Sequence, residues 1–248
     1  MSENKTKIDR SKYIIEQKEN EKITKHYTEV DGANIKIRKN KNCEIYILDY
    51  SGGMFVDDCE NCKIIVGPIE GSIMVRTSKN CNISVIARQI RFRDCENIKC
   101  FAYCPSDPAV ESSFNIFFAP YNSFFPHLKE LFGKANFIKE KNHINNPYDF
   151  TPDLVLGNGA PHFLNLPEAE FKIEQIPDYD KPIEEMWSGY SESEPLIKGK
   201  INLKINNNDE IQKNKSKNIF TNKIFLIIII SLILLLISLF IKNKKHFN

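Results

Sequence analysis

The sequence predicts an all-β protein, a parallel β-helix built from stacked coils of about nineteen residues, and three observations predict it. The pattern Asn-Cys-x-Ile recurs at Asn42-Cys43-Glu44-Ile45, Asn61-Cys62-Lys63-Ile64 and Asn80-Cys81-Asn82-Ile83, with a degenerate copy at Asn97-Ile98-Lys99-Cys100, so successive copies lie 19, 19 and 17 residues apart. A second column runs three positions earlier through Cys59, Ser78 and Cys95, the first and last inside identical Asp-Cys-Glu-Asn strings. Short β-rich runs such as Ile45-Tyr46-Ile47-Leu48, Ile64-Ile65-Val66 and Ile83-Ser84-Val85-Ile86 fill each unit, separated by Gly52-Gly53, Gly67-Pro68 and asparagine corners. A unit this short cannot bury its own apolar face. It must stack like upon like, which is the physics of a solenoid.

Taken in order, residues 1–28 are charged and polar and read as an arm, flexible or ordered on the body, with Tyr13, Ile14 and Ile15 as its docking cluster. Coils begin near Gly32. After Cys104-Pro105 the chain turns aromatic: Ser113 to Tyr121 fits a last coil, with Phe114 in the column of Cys81 and Ile98. The aromatic residues there and at Phe124-Phe125 are expected to cap the open end of the helix, a ligand pocket being the other reading. His127–Phe132 has helical character and is expected to stop at Gly133. The turn-rich stretch from Asn145 to Pro152 must fold back to bury its aromatic residues. Proline-rich and acidic residues beyond Asp153 read as a partly ordered extension, and Lys198–Asn218 as a polar linker.

Ile224–Ile241 is apolar except for Ser231 and Ser238. As a helix it would be about 27 Å long, close to the thickness of a thin hydrocarbon core, so a transmembrane helix is expected. With only Lys242–Asn248 after it, the expectation is a tail anchor holding the domain on the cytoplasmic side of a membrane. Lysines flank both sides, so charge asymmetry does not set the orientation. The opening Met1-Ser2-Glu3-Asn4-Lys5 carries neither an apolar signal nor the glycine that N-myristoylation needs.

The formal net charge of +2, with scattered lysines, gives no single-sign field and argues against nucleic acid as a partner. Seven cysteines, an odd number, fit reduced thiols. Cys59-x2-Cys62 has the spacing of a zinc knuckle without the second pair, and the repeat period favours buried structural thiols over a metal site or a nucleophile. The five histidines lie in separate contexts. No metal is expected, nor an independent catalytic constellation.

The stretch that stands out is Arg88-Gln89-Ile90-Arg91-Phe92-Arg93-Asp94-Cys95. On a strand, period-two alternation sends Gln89, Arg91 and Arg93 to one face and Ile90 and Phe92 to the other. Arginines on that face fit a solvated surface with ordinary ion pairs. They also fit a rigidly mounted guanidinium for neutralising phosphate charge in a partner.

Five segments in order and spacing, Asp57–Pro68, Gly71-Ser72, Arg88–Cys95, Glu111-Ser112-Ser113 and Tyr148-Asp149-Phe150-Thr151-Pro152, resemble the tubulin-folding cofactor C domain family, and within it the X-linked retinitis pigmentosa branch. The resemblance covers roughly residues 10–168. It implies a right-handed β-helix that activates Arf-like small GTPases in their GTP form. It also implies that Arg91 is an arginine finger, that Gln89 shapes the contact beside it, and that Arg93 and Glu111 support the face. Asp149 and Phe150 would then belong to a docking motif. GTP and Mg²⁺ would be bound by the partner. The family's paired glutamines are Arg88-Gln89 here, and neither the branch's acylated start nor its kinase-like final domain is expected in this sequence, the expected C-terminal helix standing in for the lipid anchor. The domain division that follows is an arm at 1–28, the cofactor C-like β-helix at 29–168, extension and linker at 169–218, membrane anchor at 219–242 and a tail at 243–248. The rival function is a non-catalytic effector or scaffold that binds a GTP-loaded Arf-like GTPase, or tubulin.

Overall fold

The structure, a computed structural model, describes residues 10–137, 142–176 and 179. The expected linker and membrane anchor lie outside these residues. Among the described residues no helix is long and apolar enough to cross a membrane.

Every strand pairing is parallel, as coil stacking requires. One face stacks β1 (Ile14–Glu16), β3 (Ile35–Arg38), β5 (Met54–Asp57), the second half of β6 (Lys63–Arg76), the second half of β7 (Asn82–Arg93), β9 (Ala109–Glu111) and β12 (Tyr148–Asp149). A second face stacks β2 (Lys22–Lys25), β4 (Glu44–Ile47), the first halves of β6 and β7, β8 (Glu96–Tyr103), β10 (Phe114–Pro120) and β13 (Phe163–Asn165). β6 and β7 run unbroken from one face to the other, with register shifts at the bends. Gly67-Pro68, expected as a break, is therefore inside β6, whereas Gly52-Gly53 does separate strands, just before β5. A Cβ on Gly67 would sit 2.4 Å from the Asp49 carbonyl oxygen and one on Gly71 2.7 Å from that of Gly52, so both are sites of close coil approach.

The corners explain the repeat. Each coil turns through two left-handed residues three apart: Lys39 and Asn42, Asp58 and Asn61, Thr77 and Asn80, Asp94 and Asn97, Ser112 and Asn115. Asparagine and aspartate tolerate this conformation best among residues with a Cβ. Asparagines of neighbouring coils also bond to one another, Asn61 donating to Asn42 at 3.1 Å, Asn97 to Asn80 at 3.1 Å and Asn115 to Asn97 at 2.9 Å. Between the two left-handed positions sits a small buried residue: Asn40, Cys59, Ser78, Cys95, Ser113. The Ser78 and Ser113 hydroxyls accept the Cys59 and Cys95 amides of the preceding coil at 3.2 and 3.0 Å.

The stack begins earlier than the repeat alone indicates. β1 and β2, within the stretch expected as an arm, form the first coil on β3 and β4. Buried Asn40 fastens it, donating to the Ile15 carbonyl and accepting the Lys18 amide, both at 3.0 Å. At the other end Ile116, not Phe114, pairs with Ile98 and continues the Cys81 column, while Phe114 pairs with Glu96. The aromatic segment does not sit over the open end either. Tyr46, Leu48, Ile65, Ile86 and Tyr103, outward members of four successive coils, form a second apolar cluster with Phe124, Phe125 and Phe137, together with Leu128, Leu131 and Phe132 of α1 (Leu128–Lys134). The segment thus clads a flank, because these alternate residues are apolar and need cover. Gly133 lies inside α1, which closes at Ala135. β14 (Glu174–Gln175) pairs with β11 (Ser123–Phe124) and brings buried Ile176 onto the same cluster.

All seven cysteines are free and buried. Burial pushes the Cys95 thiol up to about 11, and the Cys100 and Cys104 thiols upward as well. Below the unfolded-chain value, about 8.5, both states hold these protons and no penalty arises. As pH rises from there toward the folded values, the unfolded chain releases protons that the folded chain keeps, so stability should fall. Urea midpoints measured at pH 7.5 and 10 should show the loss, and a Cys95→Ala, Cys100→Ala variant should show less of it. An equal loss in that variant would assign the effect to other groups.

Candidate functional site

On the first face, the outward side chains stand in columns set by register. Arg91 lies between Met74 of β6 and Ala109 of β9, with Tyr148 of β12 beyond Ala109. Arg93 lies between Arg76 and Glu111, and Gln89 beside Ser72. Ile90 and Phe92 point inward and are buried, and Gln89, Arg91 and Arg93 are exposed, so the expected alternation holds across this strand. Small Ala109 leaves a gap between the arginine and the aromatic residues. The result is a groove of about 360 Å³, walled by Met74, Gln89, Arg91, Arg93, Glu111, Tyr148 and Phe150, with Ser106, Asp107 and Ala109 along one side.

The electrostatics of the columns differ. Along the Arg93 column the order is Glu16, Arg38, Asp57, Arg76, Arg93, Glu111, so every guanidinium has a carboxylate beside it: Arg38 Nε pairs with Glu16 at 2.5 Å, and Arg76 binds Asp57 through Nε at 2.7 Å and Nη2 at 2.8 Å. The Asp57 bond holds the Arg76 guanidinium above its ordinary value. Arg93 is shared between Asp94 at 3.4 Å and Glu111 at 4.0 Å. Arg91 is different: among the described residues it makes no ion pair, and its side chain reaches only the Gln89 amide oxygen, from Nη2 at 3.4 Å. A guanidinium on a strand braced on both sides, with its fork uncommitted, is a strong electrophilic anchor for phosphate oxygens.

Arg88 turns away from the groove. Its guanidinium lies over the Phe137 ring at 5.0 Å and donates to the Asn136 carbonyl, securing the flank cladding.

The two residues expected to belong to a docking motif are placed differently. Phe150 is 61 % exposed and stands edge-on to Tyr148, itself 59 % exposed, with ring centroids 4.8 Å apart. Asp149 instead turns inward. Its carboxylate accepts the Thr151 amide at 2.9 Å and meets His162 Nδ1 at 2.7 Å, and it does not line the groove. The sequence reading missed His162, Met74, Tyr148 and Asp107. Only Tyr148, next to the motif, carried any signal.

With this geometry described, comparison with known proteins decides the lineage. Residues 32–150 match the family model for tubulin binding cofactor C. The β-helix is a cofactor C domain. Over 171 residues, 69 % of this chain, the domain and its flanks are 37 % identical to protein XRP2 of Homo sapiens and 34 % identical to that of Danio rerio. These alignments cover 48 % and 44 % of the two relatives. XRP2 of Xenopus laevis is 40 % identical over 146 residues, 59 % of this chain and 41 % of that protein. The chain therefore spans about half the length of the curated relatives it matches. A solved tubulin binding cofactor C from Leishmania major is 25 % identical, with a TM-score of 0.42 over 51 % of this chain and 85 % of that one. The match spans the coils from Gly32 to Phe150, and so contains the Arg91 face from β3 to Phe150.

Proposed function

We propose that this cofactor C domain is a GTPase-activating protein for an Arf-like small GTPase, supplying Arg91 in trans as an arginine finger, and that residues 224–241 tether it to a membrane. The observation that carries the reading is the uncommitted Arg91. The other guanidiniums of its face, on Arg38, Arg76 and Arg93, are occupied by carboxylates, whereas Arg91 stands at a groove with only a long contact to Gln89. Phosphoryl transfer needs positioning and charge stabilisation rather than new covalent chemistry, so one well-placed guanidinium suffices. Gln89 orients it, Glu111 keeps Arg93 from crowding it, and Phe150 offers an apolar contact to the GTPase. GTP and Mg²⁺ belong to the partner.

The test is single-turnover GTP hydrolysis by candidate Arf-like GTPases with the full chain in detergent, wild type against Arg91→Ala. Acceleration lost in the variant while binding persists supports the finger. Binding of the GTP form without any acceleration by wild type favours the effector reading instead.

A further inference from the structure

The aromatic pair beside Arg91 poses a physical question. Tyr148 and Phe150 are more than half exposed, so apolar burial does little to hold them in place. β12 is two residues long and, among the described residues, pairs only with β9. Backbone bonds from the Tyr148 amide to Pro108 at 2.7 Å and from the Phe150 amide to Val110 at 2.8 Å are its ladder. A segment so short would fray without another constraint.

The constraint is polar and comes from behind. His162, next to β13, is 10 % exposed in its side chain and faces Asp149, which is 7 % exposed. Its Nδ1 meets the Asp149 carboxylate at 2.7 Å, and its Nε2 meets the Leu154 carbonyl oxygen at 2.7 Å. A carbonyl can only accept, so Nε2 is the donor to Leu154, and the ring bridges that carbonyl and the Asp149 carboxylate. Asp149 also takes the Thr151 amide, and Thr151 Oγ1 accepts the Ser112 amide at 2.8 Å. The ring thus ties both ends of the 149–154 turn to strand β13, which is itself stacked on β10. Neither His162 nor Asp149 lines the groove.

We infer that His162 is a positioning residue for partner engagement: through Asp149 and the Leu154 carbonyl it pre-organises the turn that presents Tyr148 and Phe150 beside Arg91. This rests on the reading of Arg91 as a finger for a GTPase. A loosened turn lowers the fraction of molecules competent to bind, and the apparent affinity falls by that fraction. The guanidinium, mounted on a different strand, keeps its effect once the complex forms.

The experiment measures GTP hydrolysis against concentration of the full chain in detergent for wild type, His162→Phe, Asp149→Asn and the double variant, with thermal unfolding of each. Each single change should raise the half-saturating concentration about tenfold and leave the plateau rate within about twofold. The double variant should be no worse than the worse single one, since both break one unit. Three results overturn the inference: unchanged half-saturation in His162→Phe, losses that multiply in the double variant, or a lowered plateau at unchanged half-saturation. If His162→Phe does not fold, His162→Asn decides. It keeps a donor toward Asp149 and loses the one toward Leu154, so an intermediate rise is expected and no rise overturns the inference. A wild type that accelerates hydrolysis at no concentration overturns the finger reading itself, an outcome distinct from the other three.

Discussion

Arg91→Ala should lower the saturating, activator-dependent rate of GTP hydrolysis by about 10³ to 10⁵-fold, the range for an arginine finger supplied in trans. That corresponds to about 4 to 7 kcal/mol of transition-state stabilisation. The side chain is exposed and makes one long contact, so its removal should leave the unfolding midpoint near wild type. Arg91→Lys should fail almost as badly, because an ammonium offers a point charge where the phosphoryl oxygens need a planar fork. Near-normal activity in the lysine variant would show that only charge matters. Retention of activity in the alanine variant would end the finger mechanism.

The neighbouring position gives the opposite phenotype. Phe92 is buried and packs edge-on against Phe118 of the coil after next, with ring centroids 5.9 Å apart. Phe92→Ala removes a ring from an interior that cannot collapse without breaking strand register, and should cost about 3 to 5 kcal/mol. Set against a typical total of about 5 to 15 kcal/mol, that moves the urea midpoint severely. Phe55→Ala, an outward change on the same face that loses only a stacked Arg76 at 5.4 Å, should cost about 1 kcal/mol or less. Similar midpoint shifts for the two would contradict the inward and outward assignment.

Much of this was legible because the corners write themselves into residue type. A left-handed position selects asparagine or aspartate and the tight interior beside it selects cysteine or serine, so Asn42, Asn61, Asn80 and Asn97 mark four coils directly. Legibility fails where the rule relaxes. The first coil is joined to the next by a 22-residue step, as Ile15 pairs with Ile37, and its corners are Gln17 and Asn20 with no cysteine between or after them. The later coils are 17 and 18 residues long, whereas placing Phe114 over Ile98 implied a step of 16, two places short of Ile116. Apolar residues at alternate outward positions, such as Tyr46 and Ile65, look like ordinary strand residues until a flank segment is seen to cover them. At the site, alternation made Arg91 outward and Phe92 inward from sequence alone. That Arg91 is unpaired while Arg93 is not depends on which carboxylate stands one coil away, and His162 gains its meaning from a carboxylate thirteen residues earlier.

Because each coil touches chiefly the coils before and after it, the stack can change height without redrawing its upper storeys. The residues that shape the groove come from Met74 onward, and the coils below them contribute support but no wall. Duplicating or deleting one nineteen-residue storey beneath Met54 would therefore lengthen or shorten the tower while leaving the same groove at its top. Such a tower is a ruler whose graduation is the strand spacing, about 4.8 Å per storey, and each step would move the Arg91 groove along the axis without changing its walls.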